Sequence, residues 1–147
     1  MRSIKNINFK KILSLFLQQD GSPFFNAKGA ALGVFSGCFP FFGFQTLLGV
    51  FLAKLAKGNI FLAVIGTWIS NPLTYIPLYY FNYQVGSLFF KNSPNILFDK
   101  NLAINDLWEK GSIFSIRLIL GSSCVGLFLA LISGSIVFFL YKIKKKS

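Results

Sequence analysis

Two uncharged, mostly apolar stretches are each long enough to cross a bilayer as a helix, and each is broken near its middle. The first runs from Gly29 to Ala53 and contains Pro40. The second runs from Gly58 to Phe90 and contains Asn71-Pro72. A bilayer-spanning helix needs about 20 apolar residues, and proline removes a backbone donor from a helix interior. The chain is therefore predicted to fold as helices broken at these two places.

The composition indicates a membrane protein. Hydrophobic residues make up 54% of the chain and charged residues 13%, whereas a soluble domain carries about 25% charged residues. The net charge is +11, but basic residues flank the apolar stretches, as expected on the cytoplasmic side of a membrane. We therefore expect the lipid bilayer, and no nucleic acid, as a partner. The predicted fold is all-α, a polytopic helical protein of the inner or plasma membrane with both termini cytoplasmic.

The chain is predicted to form one membrane domain, 1–147, in six segments. These are an amphipathic, basic N-terminus (1–22), two broken segments (29–57 and 58–90), a polar loop (91–112), a transmembrane helix (113–141) and a basic tail (142–147). Segment 29–57 fits either a re-entrant hairpin or a kinked span. Cytoplasmic termini require an even number of crossings, which favours the re-entrant hairpin.

Local signals predict how the second broken segment is built. One helix should end near Ser70, and Asn71-Pro72 should start the next, because asparagine is a favoured N-cap and proline a favoured first residue. Pro77 would kink that second helix. A tyrosine every four residues marks one face of it, which is more typical of an interface belt than of a ligand-stacking site. These tyrosines are Tyr75, Tyr79 and Tyr83.

Small residues recur every four positions in two places and predict close helix packing. The first stripe is Gly29, Gly33 and Gly37; the second is Ser122, Gly126, Ala130 and Gly134. The two stripes could pack against each other, or the second could pack against another copy of the chain.

Polar and conformationally special residues beside the breaks form a candidate midplane site. They are Pro40, Gly43, Gln45, Thr46, Thr67, Ser70, Asn71, Pro72 and Thr74. Backbone groups freed by a break inside a bilayer need partners, so these residues either repair the helix ends or line a cavity. A helix starting at Pro72 would also direct free N–H groups toward an anion or a polar head group.

Residues that carry common chemistry are scarce. The chain has no histidine, and all four acidic residues lie outside the apolar stretches. We therefore expect no catalytic residue, no metal site, no cofactor and no enzymatic activity. Arg117, near the start of the last apolar segment, is expected to extend its side chain to the membrane interface, with an interior anionic partner as the alternative.

The residues around the two breaks resemble a bacterial membrane family known as domain of unknown function 2062. The resemblance covers roughly residues 20–140 and rests on Gly29, Gly33, Phe35, Phe39-Pro40, Gly43, Gln45, Thr46, Asn59, Gly66-Thr67-Trp68, Ser70-Asn71-Pro72-Leu73-Thr74 and Pro77. It implies membrane location and architecture more than an activity. Two functions follow as hypotheses. One is a binding or translocation element for a polar lipid or small solute. The other is a non-catalytic membrane anchor or assembly partner of a cell-envelope enzyme. The expected protein partner is accordingly such an enzyme or a second copy of the chain.

Overall fold

A computed structural model describes residues 19–41, 43–90 and 106–146, with side chains described from 110 to 145 in the last range, and these residues form helices joined by short turns. The predicted all-α class is confirmed for these residues, which contain no strand. The helices are α1 (Pro23–Gly37), α2 (Phe44–Leu55), α3 (Ile60–Gly66), a 3-10 turn (Thr67–Ile69), α4 (Tyr75–Ser87) and α5 (Asp106–Lys146). Most of the predicted N-terminal segment 1–22, and residues 91–105 of the predicted loop, lie outside the described residues.

Helix α1 begins at Pro23, six residues before the predicted start of the first apolar stretch. The side-chain oxygen of Ser22 accepts a hydrogen bond from the backbone N–H of Phe25 at 3.1 Å, and Pro23 follows as the first helical residue. Ser22-Pro23 thus has the same pattern as Asn71-Pro72, a favoured capping residue followed by proline. The uncharged stretch starts after Lys28, whereas the helix continues past that charge to the Ser22 cap. The Lys28 ammonium group instead donates a hydrogen bond to the carbonyl oxygen of Ala56, just past the end of α2.

The first break separates α1 from α2. Helix α1 ends at Gly37, Pro40 lies in the connection, and α2 begins at Phe44. Gly43 has a backbone φ of 83°, a left-handed value that glycine adopts without a steric penalty. The chain therefore reverses here with a proline that ends one helix and a glycine that starts the next.

The second break is longer than predicted. The helical backbone ends at Ile69, close to the predicted end at Ser70, but α4 begins at Tyr75 rather than at Pro72. A hydrogen-bonded turn intervenes, in which the carbonyl oxygen of Asn71 accepts from the backbone N–H groups of Thr74 and Tyr75. Pro77 then lies in the first turn of α4, where a backbone N–H has no helical partner to lose, so the helix continues through it.

Helix α5 extends past both predicted ends of the transmembrane helix. It begins at Asp106 rather than at 113 and continues to Lys146, so it includes part of the predicted loop and of the basic tail. Its stretch Lys110–Lys145 has a mean hydropathy of 2.3 in its most apolar window, of which 22% is buried. Among the described residues this is the one helix long and apolar enough to cross a membrane.

Helix α1 lies at the centre of the packing. It contacts α2, α3, the 3-10 turn and α5, while α4 packs against α5. A buried cluster joins α1, α3 and the C-terminal half of α5 through Ala27, Ala30, Leu62, Val137 and Tyr141. Every helix that flanks a break therefore packs against α1 or α5.

The two small-residue stripes do not face each other. A β-carbon at Gly29 or Gly33 would collide with the backbone of Asn59 or Ala63, so this face of α1 packs against the start of α3 and the residue before it. A β-carbon at Gly126 would instead approach Phe35, on a different face of α1. Contact between the stripes, one of the two alternatives that the sequence leaves open, is therefore not made, because the second stripe packs on another face of α1.

Candidate functional site

The two breaks lie side by side. The hydroxyl oxygens of Thr46, in the first turn of α2, and Thr67, in the 3-10 turn, are 3.1 Å apart. The Thr67 hydroxyl also donates to the carbonyl oxygen of Val64 at 2.7 Å, so Thr46 is the donor in the threonine pair. A single hydrogen bond thus connects the helix that follows the first break with the turn that precedes the second.

A pocket of about 410 Å³ opens between the breaks, and we call it the break pocket. Its lining contains seven of the nine predicted site residues together with Trp68 and Tyr75: Gly43, Gln45, Thr46, Thr67, Trp68, Ser70, Asn71, Pro72 and Tyr75. Small-molecule sites commonly measure about 300–1,000 Å³. The other two predicted residues do not line it: Pro40 lies in the connection before α2, and Thr74 donates to the carbonyl oxygen of Ile69 at 2.7 Å. Trp68 belongs to the motif that carries the family resemblance, and this membership could have identified it as a candidate site residue.

The backbone N–H groups at the second break are already bonded within the turn. The side-chain oxygen of Asn71 accepts from the N–H groups of Leu73 at 2.9 Å and Thr74 at 3.2 Å. The N–H of Asn71 itself donates to the Thr74 hydroxyl at 2.9 Å. The expectation that free N–H groups at Pro72 face an anion is therefore wrong, because Asn71 and Thr74 close the turn on themselves.

Side chains from α4 repair the first break. The amide nitrogen of Asn82 donates to the carbonyl oxygen of Cys38 at 2.9 Å and to the Ser122 hydroxyl at 3.0 Å. The Tyr79 hydroxyl donates to the carbonyl oxygen of Phe39 at 3.2 Å. Sequence reasoning missed both donors, although an asparagine in an apolar helix is a signal that a buried polar group elsewhere needs a partner.

The tyrosine face of α4 is half-buried at Tyr75 and Tyr79 and fully buried at Tyr83, so the interface-belt interpretation is wrong for Tyr83. The rings of Tyr75 and Tyr79 stack with their centroids 5.7 Å apart, and Tyr83 is 1% exposed. The face turns inward because Tyr79 bonds the first break and Tyr83 packs against α5. Tyr75, at the start of this face, contributes an aromatic ring to the break pocket.

Gln45 is the most enclosed polar side chain of α2, with 6% of its surface exposed. It lines the break pocket, yet none of the described residues donates a hydrogen bond to its amide oxygen. A buried acceptor without a partner costs about 1–3 kcal/mol. No charged side chain of the described residues lines the pocket, so its wall offers hydroxyls, amides and aromatic rings.

Arg117 is buried inside the protein. It is 1% exposed, and its guanidinium group donates to the Tyr83 hydroxyl at 3.1 Å. The guanidinium carbon also lies 5.9 Å from the ring centroid of Tyr83 and 5.7 Å from that of Phe90, distances typical of cation–π contacts. The expected extension to the membrane interface is wrong, because the close packing of Gly86 against the Arg117 backbone draws this turn of α5 onto α4.

These features define a class of all-helical protein in which two broken helices meet at a polar pocket beside one long apolar helix. The chain belongs to the bacterial family described as "Uncharacterized protein conserved in bacteria (DUF2062)", which matches residues 8–147. The predicted resemblance is thereby confirmed. No curated protein and no solved structure shows significant similarity to the chain.

Proposed function

We propose that this chain is a multi-pass membrane protein that binds a polar lipid or small solute in the break pocket and assists its passage across the bilayer. The observation that carries the proposal is Gln45, a buried side chain in the pocket wall whose amide oxygen has no partner among the described residues. A ligand that donates a hydrogen bond would remove the cost of this buried acceptor.

Exposed apolar side chains support a membrane environment. Large hydrophobic residues are more than half exposed on several helices, including Phe24, Phe51, Ile76 and Phe128. Soluble monomers rarely expose contiguous apolar surface of this kind. The apolar stretch of α5 is also mostly exposed, unlike the core helix of a soluble protein.

The end of α2 lies beside the first half of α1, where Lys28 bonds the carbonyl oxygen of Ala56, and this supports re-entry of the first broken segment. Helix α2 has 12 residues, which at about 1.5 Å per residue extend about 18 Å, well short of a hydrocarbon core of about 30 Å. We propose that α1 and α2 enter and leave on the cytoplasmic side, that the next segment crosses outward and that α5 returns. Both termini are then cytoplasmic. Cysteine substitutions at Ser93 and Asn105 should react with an impermeant maleimide from outside intact cells, and reaction only after permeabilisation would contradict this topology.

The lining favours binding over catalysis. Its described side chains include no carboxylate, imidazole or amine, the groups that most often serve as a general acid or base. The proposed role therefore needs no cofactor and no covalent step.

Lipid movement in proteoliposomes tests the proposal. Vesicles containing a fluorescent lipid are treated with dithionite, which bleaches only the outer leaflet, so protein-mediated exchange raises the bleached fraction above one half. We expect Gln45→Leu to abolish the exchange. Gln84→Leu is the matched control, because Gln84 lies on α4 and does not line the pocket. Equal exchange by both variants, with the same melting temperature as the wild type, would contradict the proposal.

A further inference from the structure

We infer that the group held in the break pocket is uncharged and carries several hydroxyls, as a sugar or glycerol head group does. This inference rests on the proposed binding function and names the chemical class of the ligand. It follows from three properties of the pocket wall: its charge, its hydrogen-bonding groups and its aromatic rings.

The pocket offers an anion no compensation for lost water. No lysine or arginine of the described residues lines it, and the N–H groups of the adjoining turn are bonded to Asn71 and Thr74. No carboxylate of the described residues lines it either, so a cation would also lose its hydration without a compensating charge. Moving an isolated charge out of water without a partner is far more costly than moving a hydroxyl. The pocket therefore selects an uncharged group.

The described polar groups of the wall leave one acceptor, the amide oxygen of Gln45, in need of a donor. The hydroxyls of Thr46 and Thr67 are already engaged with each other. The Ser70 hydroxyl donates to the carbonyl oxygen of Thr67 at 3.2 Å and also pairs with the Tyr79 hydroxyl. A ligand hydroxyl fits this arrangement, because it can donate to the amide oxygen of Gln45 without carrying a charge.

Two aromatic residues complete the wall. Trp68 is 69% exposed, although it lies in the 3-10 turn between buried Thr67 and half-buried Ile69, and Tyr75 lines the same pocket. The faces of these rings are electron-rich and attract weakly positive C–H groups. A sugar or glycerol unit presents C–H groups together with hydroxyls, so it matches the aromatic and the polar parts of the wall at once.

Fluorescence of Trp68 provides a direct test. The chain has two tryptophans, so Trp108→Phe leaves Trp68 as the reporter. This variant is reconstituted in phosphatidylcholine nanodiscs and titrated with monoglucosyl-diacylglycerol, with phosphatidic acid, and with free glucose. We expect a saturable change with monoglucosyl-diacylglycerol. Gln45→Leu should weaken this response about tenfold or more, as expected when a site built to bond a ligand hydroxyl loses its partner, whereas Gln84→Leu should leave it unchanged.

The responses to the three probes distinguish the possible outcomes. An equal response to free glucose identifies a soluble sugar as the source of the same chemistry and supports the inference. A tighter response to phosphatidic acid overturns the uncharged class but leaves the binding function intact. No response to any of the three probes overturns the inference, and if lipid exchange is also absent the proposed function fails with it.

Discussion

Gly33 lies where α1 and α3 approach most closely, and a methyl group there tests the packing that brings the breaks together. The β-carbon of Gly33→Ala would overlap the backbone carbonyl of Ala63, and a backbone group cannot rotate away as a side chain can. Overpacking costs about 1–3 kcal/mol, and we expect the upper end here, while alanine gains about 1 kcal/mol over glycine in a helix. The variant should therefore lose about 2 kcal/mol of unfolding free energy.

Gly111→Ala is the matched control, because Gly111 is also helical but its β-carbon would meet no atom within 4 Å. This variant should keep its stability or gain about 0.5–1 kcal/mol. Thermal unfolding in a mild detergent, followed by tryptophan fluorescence, measures both. A change of 1 kcal/mol moves the melting temperature of a chain this size by about 2–4 °C, so Gly33→Ala should melt about 4–8 °C lower. Equal melting temperatures for the two variants would refute the close approach of α1 to α3.

Three further substitutions test local contacts in the same unfolding assay. Tyr83→Phe removes the hydroxyl that accepts from buried Arg117 and should cost about 1.5–3 kcal/mol, whereas Tyr80→Phe, at a half-exposed ring, should change stability by less than about 0.5 kcal/mol. Ser22→Ala removes the N-cap of α1 and should cost about 1 kcal/mol; no change would mean that the helix does not start there. Asn71→Ala frees the backbone N–H of Leu73, while the N–H of Thr74 keeps its bond to the Asn71 carbonyl oxygen, so the variant should lose about 1 kcal/mol; a neutral effect would contradict the closed turn.

The sequence predicts the breaks well because their signals are local. Proline lacks a backbone donor and Gly43 permits a left-handed backbone, so the first break follows from the residues at the break itself. The same holds for the side chain of Asn71, whose hydrogen bonds close the turn with partners no more than three residues away. Seven of the predicted site residues also meet in one pocket, because they immediately flank these breaks.

Contacts between distant segments escape such reasoning. Asn82 bonds Cys38 across 44 positions, and nothing in the local pattern of α4 shows which carbonyl it will reach. The orientation of Tyr83 and Arg117 likewise depends on Gly86 and Gly121, two glycines that let α4 and α5 approach closely. Small residues predict that a face packs closely, but they do not identify its partner, which is why the sequence leaves the partner of the stripe at Gly33 open.

A disulfide between the two breaks tests most directly whether they form one site. In a chain carrying Cys38→Ala and Cys124→Ala, cysteines replace Thr46 and Thr67, whose hydroxyl oxygens are 3.1 Å apart. Mild oxidation in detergent, followed by a maleimide-polymer gel shift, counts the thiols that remain. We expect the pair to close within one chain, because the two sulfur atoms would replace hydroxyl oxygens that already lie 3.1 Å apart. A disulfide needs β-carbons about 3.5–4.5 Å apart. The matched pair at Leu47 and Thr67 should stay reduced, because Leu47 is exposed on α2. Equal closure of both pairs, or closure of the second alone, would contradict the account.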